Sequence, residues 1–292
     1  MKTEVGPAKD RIAAWLEWGV GELAFLEKPE ARRECEQMLE NLLGLSRAEL
    51  TLASDLALEP LTPFQDWVRE RKKRTPLAYL LGKAPFWEDL FQVEEGVFIP
   101  RADTETLIDA FLTSASHVEK DGFRFLDLGT GSGNLAVTLA KLFPRARGTA
   151  SDLSWKAVEI ARKNAERLGV ENQIQCVQAD GLQAFAGESF EVIVSNPPYI
   201  PSEEWEMLDP EVRREPRLAL EGGEDGLDFY RSLLKQLTCL KRGGSLWVEI
   251  GWGEGPAVRS LFEKRGFGRI KTFQDLNRIE RVVAGMDFNL HG

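Results

Sequence analysis

The sequence predicts an α/β protein in which a doubly wound, mostly parallel seven-stranded sheet follows a small helical bundle. Three observations predict it. From residue 123 onward, short apolar runs alternate with amphipathic helical ones, and such alternation builds a parallel sheet covered on both faces. The first of those runs, 123–128, leads directly into a glycine-rich turn, Gly129-Thr130-Gly131-Ser132-Gly133. Residues 8–75 show helical spacing and no strand-like alternation. The expected organisation is a helical domain over 1–75, a β-hairpin linker over 76–100 and the α/β domain over 101–292.

Each element has a local reason. Ile12, Leu16, Val20, Leu23 and Leu26 lie on one helical face, and Cys35, Met38, Leu39, Leu42 and Leu43 repeat the pattern after Pro29. Ser46-Arg47-Ala48-Glu49 is a capping box. Thr62 is placed as the cap of a further helix with Pro63 at its first position, where a missing N–H costs nothing. That helix ends in the charge run 69–74, read as a solvated face or a docking patch for an acidic partner. Phe86, Trp87, Leu90, Phe91, Val93, Val97, Phe98 and Ile99 are β-prone, with Glu95-Gly96 as the expected hairpin turn. Asp103 or Thr104 is a candidate cap for a helix running to Ser114.

In the α/β region, strands are expected over 123–128, up to Asp152, over 174–178, 190–195 and 245–250, with two more at the end. Pro144 stops the first intervening helix, and Ser154 caps the second, whose Val158, Ala161, Ala165 and Leu168 share a face closed by Gly169. A long loop runs from 197 to 226, a helix follows to Leu240, and another ends at Arg265. No helix separates the last two strands, so the final one is expected to run antiparallel.

The composition excludes several classes. A hydrophobic content of 43% and a charged content of 29% suit a globular protein. A net charge of −10 argues against a general nucleic-acid binder, which needs a basic surface to displace counterions. No apolar run reaches membrane-spanning length, and charges interrupt the first thirty residues where a signal peptide would be apolar. Cys35, Cys176 and Cys239 are scattered without CxxC spacing, and His117 and His291 lack ligand spacing, so no metal site is expected and a reducing cytoplasm is.

Chemistry concentrates in two places. The run 190–195 ends in Asn196-Pro197-Pro198-Tyr199. Proline cannot continue a ladder, so Asn196 is left at the carboxyl end of its strand, where open α/β sheets place ligands. The Asn196 side-chain oxygen and the Pro197 carbonyl can accept both hydrogens of a substrate –NH2, and Tyr199 can stack on the planar group that carries it. The glycine loop with Asp152 about twenty positions on forms a nucleotide-cofactor signature, the acid accepting from a ribose diol. Its spacing is GxGxG, and Asp127 stands two residues before the first glycine. A carboxylate there repels a pyrophosphate but receives an ammonium, which favours S-adenosylmethionine. Asp180, just past the third strand, is placed to accept from the adenine amino group, or else bonds its own backbone as a loop residue.

These residues together resemble the class I methyltransferases that modify planar nitrogens, and most closely the HemK/PrmC branch, the release-factor glutamine methyltransferases. The resemblance extends through Arg74-Thr75-Pro76-Leu77-Ala78-Tyr79-Leu80-Leu81-Gly82, through Phe98-Ile99-Pro100-Arg101-Ala102-Asp103-Thr104-Glu105, and through residues 216–226. It implies a Rossmann-like class I fold, with S-adenosylmethionine bound by Asp127, Gly129, Thr130, Gly131, Ser132, Gly133, Asp152, Asp180, Gly181 and Asn196. It implies as substrate the glutamine of the Gly-Gly-Gln loop in peptide chain release factors 1 and 2, its amide held by Asn196, Pro197, Pro198 and Tyr199. Under this reading the helical domain grips the release factor and the enzyme is a cytoplasmic monomer. Two positions depart from the branch: Ala102 replaces the second proline of IPRPETE, leaving the lip over the cofactor less stiff, and Gly181 stands where some relatives carry an aromatic. The alternatives are glutamine methylation of a ribosomal protein, methylation of an adenine amino group in nucleic acid, and a non-catalytic scaffold that keeps the fold.

Overall fold

The computed structural model describes residues 11–54, 56, 61–114, 122–185 and 187–289; His117 and His291 lie outside them. Two compact units are present, Met1–Gly82 with Pro210–Arg214, and Lys83–Asp209 with Glu215–Gly292.

The smaller unit is helical: α1 (Ile12–Glu22), α2 (Lys28–Leu43), α3 (Arg47–Leu52), α4 (Thr62–Lys72) and α5 (Leu77–Leu81). Their apolar faces meet in one core, where Ile12, Trp15, Cys35, Met38, Leu39 and Phe64 are almost wholly buried. Gly19 permits this closeness, since a Cβ there would stand 2.8 Å from both Cys35 Sγ and Phe64 Cζ. The capping box forms as expected, with Ser46 Oγ accepting from the Glu49 N–H and Glu49 accepting from the Ser46 N–H. Thr62 is the first residue of α4, and Leu61 is its cap.

The charge run departs from expectation. The Arg71 side chain is only 2% exposed. Its Nε and Nη2 donate to the two Glu34 oxygens at 2.6 and 2.9 Å, and Nη2 also reaches Glu211 at 2.7 Å. Arg71 lies on the buried side of α4 with Phe64 and Val68, so one turn of the run is a structural tie. Arg69 and Lys73 remain at the surface.

The larger unit begins with a hairpin, β1 (Lys83–Phe86) and β2 (Asp89–Gln92). Its turn is Trp87-Glu88, with Trp87 at φ 55°, and the expected turn at Glu95-Gly96 lies beyond it. Residues 93–99 form no strand. The hairpin is also no free linker. Phe86 and Phe91 are buried in the larger unit's core, and the Asn164 side chain exchanges hydrogen bonds with the Gln92 N–H and C=O at 2.7 and 2.9 Å.

A 3-10 turn (Ala102–Thr104), which contains both Asp103 and Thr104, then leads directly into α6 (Glu105–Ser114). The sheet follows: β3 (Arg124–Leu128), α7 (Asn134–Leu142), β4 (Arg147–Asp152), α8 (Trp155–Arg167), β5 (Ile174–Gln178), β6 (Phe190–Ser195), α9 (Asp228–Lys235), β7 (Leu240–Glu249), α10 (Gly255–Arg265), β8 (Phe267–Gln274) and β9 (Glu280–Phe288). The strand order is β5-β4-β3-β6-β7-β9-β8. Strands β3 to β7 pair in parallel, and β9 inserts antiparallel between β7 and β8. Alternate residues serve opposite faces. Phe125, Val192 and Trp247 enter the core under α6, α7 and α8, whereas Leu126, Ile193 and Val248 enter the one under α9 and α10.

The segment after α9 also differs from expectation. Leu233, Leu237 and Leu240 are spaced as if on one helix, yet α9 stops at Lys235 and β7 already begins at Leu240. The ladder shifts register between Phe190↔Leu240 and Val192↔Ser245. Gly243, at φ 78°, takes up the extra residues in that irregularity.

Removing the Glu34 carboxylate leaves the buried Arg71 charge with one carboxylate partner, Glu211. Glu34→Ala is expected to lower the stability of the helical unit by about 3 kcal/mol, read by urea unfolding of the full chain.

Candidate functional site

The strand order reverses between β3 and β6, and at such a switch point the two loops diverge and leave a crevice. Here the Ser195 hydroxyl, at the end of β6, donates to the Leu128 carbonyl at 2.6 Å and pins the two strand ends together. A cavity of about 380 Å³ opens there, within the range of small-molecule sites of roughly 300–1,000 Å³.

The glycine turn forms one wall. The Gly129 and Thr130 N–H groups both donate to the Ser151 carbonyl, at 2.8 and 2.9 Å. Gly129, Gly131 and Gly133 all take positive φ. A Cβ on Gly133 would lie 3.0 Å from Ala161, so this glycine sets the approach of α7 to α8. Asp152 closes the turn: Oδ2 accepts from the Gly131 N–H and Oδ1 from the Ser154 N–H, both at 2.9 Å. Burial pushes the Asp152 carboxyl up while those N–H groups hold it down. Each oxygen keeps a lone pair for a ligand.

Asp127 is fully buried and stands behind the wall. Its Oδ2 accepts from the Thr130 hydroxyl at 2.6 Å and the Ala136 N–H at 3.1 Å, while Oδ1 has no hydrogen-bond partner. Burial pushes this carboxyl up to about 7, and the Asp152 charge adds to the rise.

Asp180 and Gly181 line the cavity, as do Phe229, Leu233 and Gln236 of the α9 region. A Cβ on Gly181 would stand 3.4 Å from Gln236 Oε1, and that oxygen is buried without a partner. Gln236 thus fills part of the space that an aromatic at 181 would take. Near the lip, Glu215 accepts from the Ile99 N–H at 3.0 Å and pairs with Arg101. It fastens the stretch carrying Phe98 to the loop carrying Pro216, and both residues line the cavity. Ala102 therefore sits in a lip held by an ion pair in place of the missing proline.

Asn196 and Pro198 also line the cavity, whereas Asp127, Ser132, Gly133, Pro197 and Tyr199 do not. Asn196 Nδ2 donates to Thr104 Oγ1 at 2.9 Å. Among the described residues no backbone N–H donates to the Pro197 carbonyl. The Tyr199 ring packs against the core, and its hydroxyl donates to Glu249 Oε1 at 3.2 Å. Burial raises Tyr199, and the Glu249 charge raises it further. Sequence reasoning missed Thr104, Glu249 and Gln236. Glu249 was detectable as a charge closing the apolar run 246–248; a hydroxyl or an amide on a helical turn carries no comparable mark. Among the described residues, no cluster of His, Cys, Asp and Glu could hold a metal, and no helix is long and apolar enough to cross a membrane.

A model of the Methyltransferase small domain matches residues 94–209, and one of the PrmC N-terminal domain matches residues 14–82. The release factor glutamine methyltransferase of Geobacter sulfurreducens is 41% identical, over 92% of this chain and 94% of its own. That of Caulobacter vibrioides is 38% identical, over 85% and 87%. The chain belongs to the release factor glutamine methyltransferase family. A methyltransferase from Pyrococcus furiosus shares the class I fold, with a TM-score of 0.50 at 19% identity over 68% of this chain and 89% of that one.

The residues present in this family member fit S-adenosylmethionine on structural grounds. A buried carboxylate oxygen lacking a donor suits an ammonium, the Asp152 oxygens suit a diol, and the unpartnered Gln236 oxygen and Asp180 offer acceptors to an aromatic amine. The intervening lining, with Val97, Leu153 and Leu182, is apolar.

Three carboxyls near this edge, Asp127, Glu249 and Glu254, are each pushed up to about 7 by burial. Their folded values lie above the ordinary carboxylate range, so the stability they contribute is full in acid and is lost as pH rises through 7. Unfolding of the cofactor-free protein is therefore expected to become easier by a few kcal/mol as pH rises from about 4 to about 7, and to level off above that. Asp127→Asn should flatten that slope in denaturation curves taken across the range.

Proposed function

We propose that this protein transfers the methyl group of S-adenosylmethionine to the side-chain amide nitrogen of the Gly-Gly-Gln glutamine in peptide chain release factors 1 and 2. Under this reading it acts in the cytoplasm as a monomer, with the helical unit holding the release factor away from the reacting glutamine. The observation that carries it is Asn196: a carboxamide on the cavity wall, its Nδ2 engaged by Thr104 and its oxygen left for a substrate.

S-adenosylmethionine, when bound, supplies an electrophilic methyl group on a sulfonium. Asp127 and Asp152, with the turn 129–133, hold it by its ammonium and ribose, and Asp180 and Gln236 accept from its adenine. An amide nitrogen is a weak nucleophile because its lone pair is delocalised into the carbonyl. Asn196 Oδ1 and the Pro197 carbonyl accept its two N–H bonds, enrich the nitrogen and fix its direction. Pro197 and Pro198 make the loop stiff, so little ordering remains to be done when substrate arrives. Placement of this kind can account for several kcal/mol of barrier. Methylation replaces one N–H by N–CH3 and releases that proton to solvent. Tyr199, anchored to Glu249, backs the loop on the side away from the cavity.

The test is mass spectrometry of a purified release factor after incubation with this protein and S-adenosylmethionine. One added methyl on the Gly-Gly-Gln glutamine is expected. Cofactor binding without that methyl would redirect the search to ribosomal proteins, and no cofactor binding would leave a scaffold. Asn196→Ala should lower kcat by at least about 100-fold while cofactor affinity changes by less than about fivefold. A normal kcat in that variant would overturn the mechanism.

A further inference from the structure

The long loop 197–226 leaves the larger unit once and returns to it. Residues 210–214 pack with the helical unit, and the chain from Glu215 onward belongs to the larger one. Glu211 fastens the first of these stretches. Its Oε1 takes Arg71 Nη2 at 2.7 Å and lies 3.7 Å from Arg74 Nη1. Both Glu34 oxygens already bond Arg71, at 2.6 and 2.9 Å, and neutralise its charge. A guanidinium has five N–H donors in a fixed fork, so a buried arginine can bind a second carboxylate. Arg214 adds two bonds: Nη2 donates to the Lys73 carbonyl at 2.9 Å, and its N–H donates to the Glu211 carbonyl at 3.0 Å. The second closes a 3-10 turn over Val212–Arg214, which leaves this part of the loop little slack.

The very next residue is the buried Glu215, held in turn by the Ile99 N–H and Arg101. Pro216, Leu218 and Ala219 follow it and line the cavity. Beyond them the chain is bonded to Ile200, the residue after Tyr199. The Ile200 N–H donates to the Leu220 carbonyl at 2.8 Å, and the Gly222 N–H donates to the Ile200 carbonyl at 2.9 Å. Hydrogen bonds and covalent chain therefore run without a gap from Arg71 through Glu211 and Glu215 to the cavity wall. They continue from there to the end of the Asn196–Tyr199 segment.

We infer that Glu211 is a positioning residue: through it the buried Arg71 of the helical unit holds the loop whose following residues wall the cofactor cavity. The helical unit then supports methyl transfer to any substrate, in addition to gripping the release factor. Glu211 is not among the residues that line the cavity, so it acts through the loop. The methyl-transfer part of this inference rests on the proposed reaction; the restraint on the cavity wall does not.

The test compares Glu211→Ala with Glu211→Gln, whose amide oxygen can still accept from Arg71. Arg71 keeps both Glu34 oxygens in either variant, so urea unfolding of the full chain should match that of the unmodified protein. Two substrates are used: a whole release factor, and a short Gly-Gly-Gln peptide that has no body for the helical unit to grip. In Glu211→Ala, kcat is expected to fall about 10-fold on both. Calorimetric Kd for S-adenosylhomocysteine should rise about fivefold, because the cavity wall is less ordered before binding. In the cofactor-free protein the amides of residues 219–222 should exchange about 10-fold faster. Glu211→Gln should stay within about threefold of the unmodified protein in every measurement. A rise confined to KM for the release factor, with peptide turnover, cofactor affinity and exchange all normal, would overturn the inference and leave the helical unit a grip alone. Glutamine doing no better than alanine would overturn it as well. If the unmodified enzyme methylates neither substrate, the proposed reaction falls, while cofactor affinity and amide exchange still decide the role of Glu211. Should Glu211→Ala fail to fold, Arg214→Ala, which loses the bond to the Lys73 carbonyl, is expected to show the same pattern.

Discussion

Parallel pairing of β3, β4, β6 and β7 aligns their carboxyl ends along one edge, and what those ends carry governs the larger unit. A strand interior must be apolar on both faces, because α6, α7 and α8 cover one side and α9 and α10 the other. The fully buried charged side chains of this sheet, Asp127 and Glu249, stand within the last two residues of β3 and β7. Asp152 ends β4, and Asn196 directly follows the last residue of β6. Backbone ladders end there, so side chains take over the unmet donors and acceptors. The Ser195 hydroxyl on the Leu128 carbonyl and the Asp152 oxygens on two backbone N–H groups are instances of that substitution.

The edge carries a cost. Asp127 and Glu249 are buried carboxyls with no cation bonded to them, and burial pushes both up to about 7. Each also keeps one oxygen without a partner. Desolvation of this size persists in a folded protein when the groups have work beyond stability. Asp127 keeps its acceptor beside the glycine turn, and Glu249 accepts from the hydroxyl of Tyr199, at the end of the Asn196–Tyr199 segment. Arg71 of the helical unit makes a useful contrast. It is as deeply buried, yet both Glu34 oxygens and Glu211 bond it. A fully satisfied ion pair is a structural tie; a half-satisfied carboxylate at a strand end is a site.

Local chemistry was readable wherever one residue type leaves the backbone little choice. The capping box at Ser46, the glycine turn and the break at Pro197-Pro198 needed no knowledge of neighbours. Reading failed where the deciding contact came from elsewhere in the chain. Trp87, an improbable residue for positive φ, makes the hairpin turn, and its N–H donates to Glu105. The helical spacing of Leu233, Leu237 and Leu240 misled because a buried strand and a helix end can both present apolar residues at that interval. Arg71 could not be told from its exposed neighbours, since its partners Glu34 and Glu211 are far away in sequence.

The sequence by itself determined the class of fold, the order of the strands along the chain and the two motifs at the sheet edge. Those follow from periodicity and from the geometric limits of glycine and proline, which act within a few residues. Tertiary structure alone decided that β9 inserts between β7 and β8 and that the hairpin belongs with the larger unit. It also decided that Tyr199 turns to Glu249 and not into the cavity, and that Thr104 holds Asn196. The physical reason is the same in each case: hydrogen bonds and burial across 50 to 92 positions of chain depend on which surfaces the fold brings together, and no local pattern records that.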